Sequence, residues 1–398
     1  MKIYRIISVI CFFLAAFVLI FPVSAIAKIN KKVGPGLYPA LTLGYGYDDN
    51  IFRTEKNTLD DYIYQATPSV TLFSLFGKHR FEASYFVDIY RFQKKTSENY
   101  EDQFADAKLD LSLTRKLKAE LEAAYASSHE LRGASGTRIE QAREPDAWWA
   151  DRYSAKVKYG RRKMKYQLAL TGELYRRKYT NNFQQPRSRD RSRIIGQFFW
   201  NNTAKIQTFF EAQYTNYDYY NQTAPINLTS VDQRYLVGII WDATAKSTGE
   251  FKVGYLSKNM ADPTLPDFGG WSAWSEFTYL PQKQTTFTLN LARGTKESSF
   301  RFASYYDSYE AGIALDHDLT RRLSFKAELR YQNDIYEMID NSDRTDRYTN
   351  GGAGFDYEVL RWLDVGIEYI YRSRDSDYPG IDYESNAFMI SLSMDTMK

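Results

Sequence analysis

The groups in this chain that could perform acid–base, nucleophilic or metal chemistry are three histidines, 49 carboxylates and a single cysteine at position 11. His129 is the most suggestive, because Ser127 and Ser128 precede it and Glu130 follows, which places the ingredients of a serine–histidine–acid site side by side. Adjacency in one loop does not align a base on a nucleophile; that takes residues delivered by different elements. His79 and His317 fall beside other turns, and no His-x-x-His or His-Glu-x-x-His spacing points to zinc. Acidic residues at Asp48, Asp49, Asp60, Asp61, Asp340, Asp343 and Asp346 could meet Ca²⁺, but none follows the twelve-residue register of an EF-hand. The Asn-x-Thr triplets at Asn201, Asn221 and Asn227 are what chance supplies, and the glycines of 350–354 lack the strand-to-helix setting of a phosphate loop. The residues therefore imply no catalytic site, no cofactor and no metal.

The elements that would position these groups follow a period of two. Tyr62, Tyr64, Ala66, Pro68, Val70 and Leu72 alternate with Ile63, Gln65, Thr67, Ser69 and Thr71; Ala107, Leu109, Leu111 and Leu113 alternate with Lys108, Asp110 and Ser112. Such alternation makes strands with one greasy and one polar face. About eighteen candidate strands run from Leu37 to Met394. Short links, many of them basic (76–78, 114–116, 160–163, 242–246, 281–283, 319–322, 360–362), alternate with long polar ones (48–60, 129–147, 178–190, 217–231, 257–269, 332–347, 373–384). A soluble sandwich or solenoid could carry the alternation but has no reason to sort its loops by length. An up-and-down antiparallel β-barrel in a bacterial outer membrane does sort them, short turns to the periplasm and long loops outside. With 33 Tyr, 25 Phe and 7 Trp the chain can furnish both aromatic girdles, and Tyr45, Tyr47, Tyr159, Trp241, Tyr279 and Tyr371 lie near strand ends. No stretch after residue 26 has the ~20 apolar residues of a membrane helix.

Residues 1–27 read as a cleaved Sec signal peptide: Lys2 and Arg5, an apolar run from Ile6 to Val23, then Ala25-Ile26-Ala27. Pro22 and the small-x-small ending favour cleavage over an uncleaved anchor. Residues 28–36 then form a short periplasmic segment and 37–398 the barrel. Cys11 leaves with the signal, so no thiol chemistry remains. Losing Lys2 and Arg5 brings basic side chains to within one of the 49 acidic ones, too even a balance for binding nucleic acid. If apolar residues face lipid, the lumen is lined by Glu82, Asp88, Lys108, Asp110, Lys118, Glu120, Glu122, Lys156, Lys158, Lys165, Glu173, Glu211, Glu250, Lys252, Glu276, Lys326, Glu328, Arg330, Asp364 and Glu368, together with Glu310 and Asp316. Tyr90 and Trp274 should also point inward, where they could stack on sugar rings. Two segments depart from the pattern. Leu236, Gly238 and Ile240 are too apolar for a wet wall and ask for a buried contact inside the barrel, and 284–295 loses its apolar face at Arg293.

The opening Gly44-Tyr45-Gly46-Tyr47-Asp48-Asp49-Asn50-Ile51-Phe52, with Arg234–Gly238, Trp241–Glu250, Leu360–Gly366 and Tyr371–Ser376, resembles the putative β-barrel porin 2 family, outer-membrane proteins of exopolysaccharide loci. The resemblance implies a channel that takes part in export of an exopolysaccharide or capsule, with a periplasmic polysaccharide-export protein as partner and outer-membrane lipid and the barrel-assembly machinery around it. The chain ends Met394-Asp395-Thr396-Met397-Lys398 and lacks the terminal aromatic of many such barrels. The alternative is a general diffusion porin, in which a loop, with Glu130 to Asp146 the candidate, would fold inward to narrow the pore; an outer-membrane enzyme or adhesin working through the extracellular loops is the third reading.

Overall fold

The structure is a computed structural model that describes residues 34–397 except 138–142, 221–225, 245, 301 and 341. The expected signal peptide and most of the segment after it, and Asn221, lie outside the described residues. The described residues form β1 (Gly36–Asp48), β2 (Asp61–Phe76), β3 (His79–Phe92), β4 (Tyr100–Ser112), β5 (Leu117–His129), β6 (Ala147–Tyr159), β7 (Tyr166–Tyr179), β8 (Arg189–Asn201) and β9 (Ile206–Asp218). They continue with β10 (Ser230–Thr244), β11 (Ser247–Met260), β12 (Phe268–Gln282), β13 (Thr285–Glu297), β14 (Ala303–Asp318), β15 (Leu323–Met338), β16 (Thr345–Leu360), β17 (Leu363–Ser376) and β18 (Tyr383–Asp395). Each strand pairs antiparallel with its sequence neighbour, and β1 pairs with β18 from Ala40↔Asp395 to Asp48↔Ala387, closing an 18-stranded barrel. Closure leaves no sheet edge, which is what allows strands to cross a bilayer.

The links alternate as expected. Short turns and long loops fall on opposite rims, and three links that the sequence reading passed over complete the series: the turn 202–205 and the loops 93–99 and 298–302. The last was hard to see because it is short and carries Phe300 and Phe302.

Because paired residues share a face, the ladders separate two surfaces. The outer one presents large exposed apolar side chains, such as Leu168, Leu170 and Leu174 on β7 and Ile367 on β17. Aromatic rings gather towards its ends: Tyr45 stacks on Tyr62 at 5.7 Å near the long-loop rim, and Tyr166 on Phe198 at 5.6 Å near the short-turn rim. Arg293 does sit on this outer face, paired with Asp307 at 2.7 Å and 4.3 and 4.7 Å from the rings of Trp271 and Tyr309. A cation so paired and capped is tolerable at the interface.

The apolar stretch of β10 has the expected buried contact. Ile240 packs against Ala169, Phe199 and Phe209 on the inner face, and Leu236 is buried. Gly238 makes room, since a Cβ there would lie 2.3 Å from the Phe209 ring.

The Asp48-Asp49-Asn50 motif bolts the seam. Asp48 accepts from the two terminal nitrogens of Arg53 at 2.8 and 2.7 Å and from the Ser385 hydroxyl at 3.0 Å. Asn50 donates to the carbonyls of Thr54 and Glu384, at 2.8 and 2.9 Å, and Asp49 accepts twice from Asn386 at 2.8 Å. The first loop is thereby tied to the last strand.

Candidate functional site: the inner wall and the loop that crosses it

The register places Glu82, Asp88, Lys108, Asp110, Lys118, Glu120, Glu122, Lys156, Lys158 and Glu173 on the inner face of β3–β7. Glu211, Glu250, Lys252 and Glu276 follow on β9–β12, and Glu310, Asp316, Lys326, Glu328, Arg330, Asp364 and Glu368 on β14–β17. Opposite charges interleave: Lys108 holds Glu120 at 2.7 Å and Glu122 at 3.1 Å, Lys252 holds Glu211 at 3.0 Å, and Lys326 holds Asp356 at 2.7 Å. Arg80, Glu82, Lys108, Asp110 and Glu120 line a cavity of about 350 Å³. Tyr90 faces inward, stacked on Tyr100 at 4.7 Å above a second inward pair, Phe86 and Phe104. Trp274 lies 5.4 Å from the Lys252 ammonium.

Lys165 is a correction. Its strand starts at Tyr166, so the alternation does not reach it; it closes the turn after β6, with its ammonium 5.6 and 5.8 Å from the outward rings of Tyr166 and Trp200. A long amphipathic side chain at a strand end swings its head to the interface.

His129 Nδ1 lies 3.0 Å from Asp102 Oδ1, while the Ser128 hydroxyl donates to Oδ2 of the same carboxylate at 2.6 Å. Serine and histidine thus share an acid instead of bonding to each other, and the imidazole rests on the Tyr100 ring at 4.1 Å. A nucleophile–base relay needs the hydroxyl on the imidazole.

The described part of the loop after β5 reaches across the lumen. Arg132 makes a two-pronged pair with Glu98 of the loop after β3, at 2.6 and 2.7 Å. From there the chain crosses to the far wall. Ser135 donates to Asp334 at 2.5 Å and accepts from Gln332 at 2.9 Å; the Gly136 N–H donates to the Tyr336 hydroxyl at 2.9 Å. These partners stand on β15, and Tyr306, also bonded to Ser135, stands on β14, nine strands round a ring of eighteen from β5. Tyr383 on β18 donates to the Gly133 carbonyl at 3.2 Å, and Ser299 donates to the Gly136 carbonyl at 2.8 Å. Gly133 and Gly136 take φ of +70° and +74°, and a Cβ at either would lie within 3 Å of a ring atom or hydroxyl of Tyr383 or Tyr306. Only glycine meets both demands.

Other loops on the same rim are tied to one another. Buried Arg187 donates to the carbonyls of Ser298 (3.3 Å), Ala303 (3.2 Å) and Phe300; burial lowers its hold on the proton. Tyr219 and Leu228 from the loop after β9 and Leu265 from the loop after β11 cluster with Ile339 from a third loop, after β15. Burial holds the Tyr219 phenol well above its usual pKa, so it keeps its proton and donates to Glu297.

One set of residues was missed as a group by the sequence reading: Arg177, Arg189, Arg191 and Arg193, with Arg152 beside them, all inward on β6–β8. The spacing of 189, 191 and 193 was visible, but its face and its cross-strand neighbours needed the register.

The chain matches the family model described as putative beta-barrel porin 2 over residues 34–396. No curated protein matches it in sequence. Among solved structures, OccK2 (OpdF) of Pseudomonas aeruginosa is similar at a TM-score of 0.51 and 11% identity, covering 92% of this chain and 100% of its own. P. aeruginosa OpdO gives 0.50 at 12% identity, covering 92% and 98%. A BenF-like porin from Pseudomonas fluorescens Pf-5 gives 0.49 at 10%, covering 90% and 98%. At such identities the first two likenesses show the barrel fold alone. With its closed eighteen-stranded wall and a family match across nearly the whole described chain, this protein belongs to the putative β-barrel porin 2 family and is an integral, porin-like channel protein of the outer membrane.

Proposed function

We propose that the protein is a diffusion channel for small hydrophilic solutes whose bore is set by the loop after β5, at Ser135 and Gly136. The observation that carries this reading is the anchoring of Ser135 and Gly136 on the wall opposite their own strand. Eighteen strands alone enclose a wide aqueous channel; a loop tied across it narrows the passage and leaves a mixed-charge wall to hydrate what goes through. No catalytic step belongs to this reading. Purified full-length protein in planar bilayers is expected to give steady single-channel currents, and removal of residues 131–145 is expected to raise unit conductance several-fold. Equal conductance with and without the loop would overturn its role as the constriction, and silence of the intact protein would overturn the channel itself.

A second reading is export of an exopolysaccharide, with a periplasmic export protein as partner. It is supported by the family match and by the inward stacked pairs Tyr90–Tyr100 and Phe86–Phe104, which offer faces to sugar rings. The anchored loop weighs against free passage of a polymer. Surface polysaccharide in a clean deletion strain decides: polymer lost or held in the periplasm supports export, and an unchanged surface removes it.

A further inference from the structure

The inner wall of β6–β8 departs from the charge mixing found elsewhere. Arg177 stands directly opposite Arg189, Arg191 is opposite Tyr175, and Arg193 is opposite Glu173, so three successive inward positions of β8 are arginine. Like charges paired directly across a ladder destabilise it. The acids available to offset them are few. Glu173 serves Arg191 at 2.5 Å, Arg152 at 3.8 Å and Arg193 at 4.0 Å; Glu122, already held by Lys108 at 3.1 Å, reaches Arg152 at 3.7 Å, and Glu130 comes within 3.9 Å of Arg177. Each guanidinium has five N–H donors, and one carboxylate cannot satisfy three of them. The Nε groups of Arg191 and Arg193 are buried and have no partner among the described residues, which leaves the exposed ends of the guanidinium groups as the part a solute can meet. About a quarter of the Arg152, Arg191 and Arg193 side chains remains open, at 27%, 22% and 26%. Tyrosines keep the planes apart: the Arg191 guanidinium lies 4.8 Å from the Tyr175 ring, whose hydroxyl accepts from Arg177 at 2.9 Å. The wall of β15–β17, by contrast, mixes Glu328, Asp356 and Glu368 with Lys326, Arg330 and Arg372.

We infer that this arginine column is an anion track, along which a small solute bearing a carboxylate or phosphate group passes from one guanidinium to the next. The inference rests on the diffusion-channel reading. The planar fork of arginine matches both oxyanions in two-pronged fashion, and the near-neutral chain as a whole would not select anions. Partly satisfied donors spaced along a wall favour entry without trapping the solute.

The test uses the full-length protein in planar bilayers under a potassium chloride gradient. Chloride is expected to permeate several-fold faster than potassium. R191Q/R193Q should bring that ratio towards one, while R191K/R193K should keep the preference for chloride. Added acetate or inorganic phosphate should reduce the chloride current in the natural protein and not in R191Q/R193Q; the two salts tell carboxylate from phosphate. A heat-dependent shift in gel mobility confirms that each variant has folded. Currents without anion preference, a glutamine variant equal to the natural protein, or no effect of either salt would overturn the track while leaving the channel standing. Silence of the folded natural protein would overturn the channel reading and the track with it.

Discussion

Asp262 shows how single residues hold the outer loops together. Its carboxylate accepts from the Asn227 N–H at 3.0 Å, and from the Thr264 N–H and hydroxyl at 3.0 and 2.7 Å. These bonds, the Asn227 N–H foremost, hold its carboxyl below the ordinary range. A depressed folded pKa means that the contribution is complete above the unfolded value of about 4 and disappears as pH falls through the lower folded value. Protection of the Asn227 amide from hydrogen exchange, corrected for intrinsic rate, should therefore drop on acidification from pH 5 to below pH 3. In D262N it should be low at both ends, and a natural protein with the same protection at both would refute the assignment. At this scale the sequence was instructive about types and silent about partners. His129 and Ser128 were recognisable as reactive, yet their common acid, Asp102, arrives from the neighbouring strand 26 residues earlier.

At the scale of the element, neighbouring positions on one strand meet different solvents. Leu291, in the middle of β13, is 43% exposed on the lipid face, whereas Asn290 faces inward opposite Glu276. Arginine at position 291 is expected to cost about 2–4 kcal/mol near the bilayer midplane. Arginine at 290 meets water and a carboxylate, and should cost less than about 1 kcal/mol. Equilibrium unfolding of the two variants in lipid vesicles measures the difference, and equal costs would mean that the two faces are misassigned. Strand periodicity was plain in the sequence because lipid and water impose opposite demands on alternate residues. It gave way where other contacts intervened: at Ile240 inside the barrel, at Arg293 between Trp271 and Tyr309, and at Lys165, one residue ahead of its strand.

The whole molecule depends on its seam and on its crossing loop. Replacing Asp48 with alanine leaves the Arg53 guanidinium, 11% exposed, without its carboxylate. Breaking one partner out of a buried pair typically costs about 3–5 kcal/mol, so D48A should unfold at markedly lower urea than the natural barrel, while D375A at the exposed pair with Arg347 should not. If both behave alike, the seam is not where closure is secured. The sequence by itself determined the strands, their number, the sorting of loops by length and the membrane the barrel spans, because each follows from local alternation and from turn chemistry. Only the tertiary structure decided that Ser135, in the loop after β5, ties itself to β14 and β15, and that arginines from β6 and β8 converge on Glu173 of β7. Those contacts join residues up to 200 positions apart. Their free energy arises only once the barrel has closed and brought its opposite walls within reach of one loop.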